Sequence, residues 1–145
     1  LSKKLSSMLI IFIILSVMIS CNKNDSLFTK VDLNNANGEI KSSLSNYYSE
    51  NGIYLYENGT DEVYLFLNGY NVEQGEKSYY YDDISMEVKD KTLFINFSEK
   101  YADNYENKEV ENRQLYKINK PENIDTIKVF SNEQETHFDS IIVSE

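Results

Sequence analysis

The run 52–68 constrains the fold more than any other part of the chain. Asn58-Gly59 separates the stretches 52–57 and 62–68, and both turn residues tolerate the positive φ of a tight hairpin. Period-two counting sets Ile53 and Leu55 on one face with Val63, Leu65 and Leu67, and Tyr54 and Tyr56 on the other with Tyr64 and Phe66. Both faces are then apolar. Such a sheet is either covered on both sides or left with one tyrosine-lined face exposed.

The preceding segment, 38–50, supplies a cover. Ile40, Leu44, Tyr47 and Tyr48 follow the i, i+4, i+7, i+8 spacing of one helical face. Asn37 is its candidate N-cap, and Asn51-Gly52 its expected left-handed stop. This helix is expected to lie over Tyr64 and Phe66, with the Tyr64 hydroxyl reaching a polar group or the sheet edge. The alternative is a binding surface for a peptide or glycan made of Tyr54, Tyr56, Tyr64 and Phe66. Tyr79, Tyr80 and Tyr81 join that candidate surface from the segment 69–83, read as a loop, since three consecutive rings cannot all point inward.

Further strands follow. Ile84, Met86 and Val88 alternate on one run and Leu93, Ile95 and Phe97 on the next, with Lys89-Asp90-Lys91 as the turn. The polar stretch 99–112, with Tyr101 and Tyr105 at helical spacing, reads as a long loop or short helix. A strand over 113–119 ends before Pro121, and 125–130 with 136–143 form a final hairpin around 131–135. The chain is expected to be α+β: mainly antiparallel β, six to eight short strands in a curled sheet or small sandwich, with one N-terminal helix.

The front of the chain has another character. Lys3 and Lys4 precede an apolar run from Met8 to Ile19 broken only by Ser16, the charged and apolar regions of an export signal. As a helix the run would reach only about 18 Å, short of the roughly 30 Å core of a bilayer. Met18-Ile19-Ser20-Cys21 resembles the bacterial lipobox, with Met18 where Leu is usual and the small Ser20 before the cysteine. The resemblance implies cleavage between Ser20 and Cys21, lipidation of Cys21, and anchoring on the extracytoplasmic face of the cell membrane. The implied organisation is a signal peptide over 1–20, a lipidated cysteine and polar tether over 21–37, and one globular domain over 38–145. A short strand over 27–33 would shorten that tether. Abundant Asn, Lys, Ile and Tyr resembles an AT-rich Gram-positive proteome. The stretch 115–142 resembles the ends of small Gram-positive surface lipoproteins, a likeness that implies no activity.

Charge and motifs narrow the function. Losing Lys3 and Lys4 leaves twelve Lys and Arg against 24 Asp and Glu, a net −12, which opposes nucleic acid and electrostatic docking on anionic lipid. Five glycines and no phosphate-binding fingerprint argue against nucleotide cradles. One histidine, His137, and a single cysteine committed to lipid make a zinc centre untenable, so no metal and no cofactor is expected. His137 is read as structural. The 32–38 segment superficially resembles a calcium loop, but Ala36 stands where a ligand belongs and Ser43 where the bidentate Glu belongs, so it reads as an Asn-rich turn. Two dozen acidic residues offer no identifiable catalytic pair. The resulting expectation is a non-enzymatic accessory or binding lipoprotein, acting on an envelope protein, peptide or wall component. A carboxylate-based envelope hydrolase, or one using His137, is the alternative.

Overall fold

The computed structural model describes residues 26–59, 62–102 and 111–144. Among these, nine strands form two mostly antiparallel sheets, with one α-helix. The first sheet holds β1 (Phe28–Val31), β6 (Arg113–Ile118), β3 (Glu62–Asn68), β2 (Gly52–Asn58) and β9 (Ser140–Ser144), in that order. The second holds β4 (Ser78–Lys89), β5 (Thr92–Ala102), β7 (Thr126–Ser131) and β8 (Gln134–Thr136). The sandwich form is therefore the one adopted, with more strands than the expected six to eight.

The two apolar faces of the β2–β3 hairpin determine the layering. Ile53, Leu55, Val63, Leu65 and Leu67 pack against Tyr81, Leu93, Ile95, Phe97 and Val129 of the second sheet. Tyr54, Tyr56, Tyr64 and Phe66 point the other way, under Ile40 and Leu44 of α1 (Gly38–Ser45). The result is three layers, helix, sheet and sheet. Asn37 caps α1, its side chain accepting the Ile40 N–H at 2.9 Å. Asp32 accepts the Asn34 N–H at 2.9 Å and caps a 3₁₀ turn over Leu33–Asn35.

Several boundaries differ from the expected ones. α1 ends at Ser45 rather than near residue 50, because side-chain amides and a guanidinium from β3, its following loop and β6 capture the carbonyls of Tyr47, Tyr48 and Glu50. Gly52 is not a left-handed stop: it opens β2. β1 pairs with β6, so the folded domain takes in Phe28–Val31 ahead of residue 38. Tyr79, Tyr80 and Tyr81 lie on β4 and not in a loop, and β5 runs to Ala102 through what read as an irregular stretch.

Two turns carry the register of the second sheet. Asp90 and Lys91 have φ of 48° and 63°, and Asn132 and Glu133 have 49° and 66°, the paired positive values of a two-residue hairpin. The last hairpin is smaller than expected. After Thr136 the chain leaves the second sheet, and β9 joins the first, parallel to β2. Asp139 makes the crossing: its N–H donates to the Ile53 carbonyl at 2.8 Å and its carboxylate accepts the Ile53 N–H at 2.8 Å. No helix among the described residues is long and apolar enough to cross a membrane.

Candidate functional site

Four of the rings first considered as a binding surface are interior. Tyr54, Tyr56, Tyr64 and Phe66 are all buried under α1 and its following turns, so the exposed-face alternative fails for them. The Tyr64 ring lies 5.8 Å from the Lys117 ammonium. Tyr81 is also buried, between the sheets, its ring edge-on to Phe97 at 5.2 Å. Tyr80 is half-buried and paired in register with Lys100. Tyr79, half-buried, lines an open cleft. Cys21 and Ser20 lie outside the described residues, as does Tyr105.

That cleft lies at the Ser78/Ala102 end of the β4–β5 pair. Leu93, Ile95 and Phe97 face inward and are buried. The same parity continues to Tyr101, whose exposure rises to 66%. Tyr79 lies directly opposite on β4, ring centroids 6.2 Å apart. A bulge between Asp82 and Ser85 shifts the inward parity of β4 from Tyr79 and Tyr81 to Ile84 and Met86. Alternation ahead of the bulge sets Tyr79 and Tyr81 on the inner face and Tyr80 on the outer one.

A second aromatic group stands beside the first. The Arg113 guanidinium carbon lies 4.4 Å from the Tyr48 ring centroid and 4.0 Å from that of Tyr70, a cation between two π faces. Arg113 also donates to the Tyr48 carbonyl at 3.0 Å and to Asn68 Oδ1 at 3.3 Å. Asn68, fully buried, donates to the carbonyls of Tyr47 and Glu50 at 3.1 and 2.8 Å and accepts the Tyr70 N–H at 3.1 Å. Tyr70, 59% exposed, is thus fixed by a buried polar network.

The loop joining β3 to β4 links the two groups. Asn71 is held by Asn51, whose Oδ1 accepts the Asn71 N–H at 2.8 Å. Gly69 passes so close to β4 that a Cβ there would sit 2.4 Å from the Tyr79 carbonyl oxygen, so only glycine fits. Asn112 closes the junction, donating to the Tyr79 carbonyl at 2.7 Å and accepting the Gly69 N–H at 2.8 Å. Two adjoining clefts result. One, of about 490 Å³, is lined by Tyr79, Tyr101, Glu76 and Lys77. The other, of about 400 Å³, is lined by Tyr70, Asn71, Val72, Ser78 and Asn112.

The chemistry offered is stacking and hydrogen bonding, with the charged Glu76 and Lys77 in the lining of one cleft. Burial pushes the Tyr79 phenol above its ordinary range, with Glu99 and Asp139 adding to the shift and the bond with Tyr81 opposing it. At neutral pH it is therefore protonated. His137 stands elsewhere, exposed in the crossing before β9, beside a cleft whose Lys128 and Glu135 are ion-paired at 3.0 Å. Among the described residues no group of three or more His, Cys, Asp and Glu is placed to hold a metal ion.

Tyr70 and Tyr101 were not singled out as binding residues from sequence. The available signal was the parity of β5, which places residue 101 on the face of Leu93, Ile95 and Phe97. No protein-family model, curated protein or solved structure matches the chain.

Proposed function

We propose that the chain is a lipid-anchored, extracytoplasmic binding lipoprotein whose tyrosine-lined end takes a ligand with flat apolar faces and polar edges, a glycan strand or an extended peptide of the envelope. The lipobox-like Met18-Ile19-Ser20-Cys21 supports the anchor. The observation that carries the binding reading is the pair of exposed rings, Tyr70 and Tyr101, held at one end of the sandwich beside Tyr79. Large rings on a rigid frame offer contact area at little entropic cost, and exposed rings otherwise lose free energy in water.

The position of the site suits an anchored protein. Phe28 pairs with Ile118 at one end of the first sheet, and Asn68 pairs with Arg113 at the other. The chain thus enters β1 at the end away from the tyrosines, which supports an anchor set apart from the clefts. Five peptide units separate Cys21 from Ser26, at most about 18 Å of chain.

Two measurements test this. A photo-crosslinking residue at position 101 in intact cells should capture an envelope component that the same residue at position 88, exposed at the far end of β4, does not. Equal capture at both positions rejects the site. Cys21→Ala should abolish labelling by a fatty-acid probe, and persistent labelling rejects the anchor.

A further inference from the structure

Among the described residues each sheet has two edge strands, and three of the four are guarded. β1 has only four residues, and its Lys30 is ion-paired with Glu111. β4 carries a bulge, with Asp83 at φ 54° and the Lys100 ammonium bridging Asp82 and Asp83 at 2.8 and 3.2 Å. β8 has three residues, with Glu135 paired to Lys128. Short strands, bulges and charges are how sheets avoid adding a further strand.

β9 has none of these. Its sequence, Ser140-Ile141-Ile142-Val143-Ser144, is uncharged and pairs with β2 in unbroken register. Ile142 packs toward α1, whereas Ile141 and Val143, on the opposite face, are 57% and 66% exposed. The strand is also self-complementary. Laid antiparallel on a copy of itself about Ile142, it sets Ser140 against Ser144, Ile141 against Val143 and Ile142 against Ile142, with matching side chains on matching faces. A chain of net charge −10 meets its copy here along an uncharged strip, and Asp139, just before it, has its carboxylate turned onto Ile53 of its own β2.

We infer that β9 is a homodimer interface, at which two copies join their first sheets edge to edge into one continuous sheet around a two-fold axis through Ile142. Ile141 and Val143 of the two copies cover one another across the junction. The two tether junctions lie at opposite ends of this dimer. Both reach one membrane when the strands run along its surface, with the tyrosine ends directed sideways.

Cysteine crosslinking of the full chain in intact cells tests the register. Ile141→Cys co-expressed with Val143→Cys should give a disulfide-linked dimer on mild oxidation, since opposed residues fall within disulfide reach. Ile142→Cys alone should do the same, Ser140→Cys alone should not, and the parent chain controls for Cys21. Adding Val143→Lys to the Ile142→Cys chain should abolish its dimer. The inference is overturned if the exposed 141/143 pair gives no dimer although both thiols react with a maleimide. It is equally overturned if Thr29→Cys on the β1 edge dimerises as well, or if the Val143→Lys chain still crosslinks.

Discussion

The rings of Tyr54 and Phe66 stack across the β2–β3 pair, centroids 5.8 Å apart and planes 29° from parallel, with the helix layer above them. Truncating either ring opens a void that packed neighbours cannot close. Phe66→Ala is expected to cost about 3 to 5 kcal/mol, a large share of a typical stability of roughly 5 to 15 kcal/mol. Thermal unfolding beside the parent checks this, and an unchanged midpoint would refute the three-layer packing.

Alkaline pH should weaken the fold through its buried phenols. Burial, reinforced by Asp139 and Glu50, pushes Tyr54 up to about 12, and burial first, then Glu111, does the same for Tyr116. Burial pushes Tyr81 upward too. A phenol whose folded pKa is raised contributes stability that is complete below the unfolded value of 10 and lost as pH climbs toward 12. Denaturant midpoints should therefore fall across pH 10 to 12, less steeply in Tyr54→Phe. A flat profile in the parent would contradict the burial of these hydroxyls.

Gly69→Ala should damage the site and the fold together. The added methyl meets backbone, the Tyr79 carbonyl, at 2.4 Å, so β4 must shift, at a cost of about 1 to 3 kcal/mol. Asn68→Ala should cost a similar 1 to 3 kcal/mol or so by leaving buried carbonyls and Arg113 without their partner. Chemical denaturation measures both.

Tyr101→Ala should separate binding from stability. The ring is two-thirds exposed, so its loss should change stability by no more than about 0.5 kcal/mol. Capture of the envelope ligand should nevertheless fall sharply. A variant that melts with the parent and still captures fully would remove Tyr101 from the site.

His137→Gln should leave any cellular phenotype intact. The imidazole is exposed and lines a cleft other than the two beside Tyr70, Tyr79 and Tyr101. A folded variant with the null phenotype would reinstate a chemical role for it.

Local pattern made much of the architecture legible. The helix, the 52–68 hairpin and the turn at Asp90-Lys91 all follow from periodicity and turn chemistry within a few residues. What escaped depends on partners distant in sequence. β1 is four residues long and alternates little, so the sequence offers it only as a short strand that would shorten the tether, and its pairing with β6 is what brings it into the domain. The Tyr79 to Tyr81 segment hides its strand because the bulge at Asp82 breaks the parity that links it to Ile84 and Met86. β9 reads as the second arm of a hairpin until Asp139 bonds to Ile53 and redirects it. The site suffered most, since Tyr101 shares the inward parity of Leu93, Ile95 and Phe97 and yet is exposed, a difference set by the packing of layers that no single segment encodes.

The parallel pairing of β9 with β2 joins positions 86 residues apart, as in the contact of Ile53 with Asp139. The β2–β3 and β4–β5 hairpins close within their own short loops and can form early. The outer edge of β2 must wait until residues 140–144 have been delivered, and closing so long a loop makes this pairing a late and slow event. Until then Leu55 and its neighbours lie open along an unpaired strand. That interval is when the nascent protein is most exposed to chaperones, proteases and its own copies.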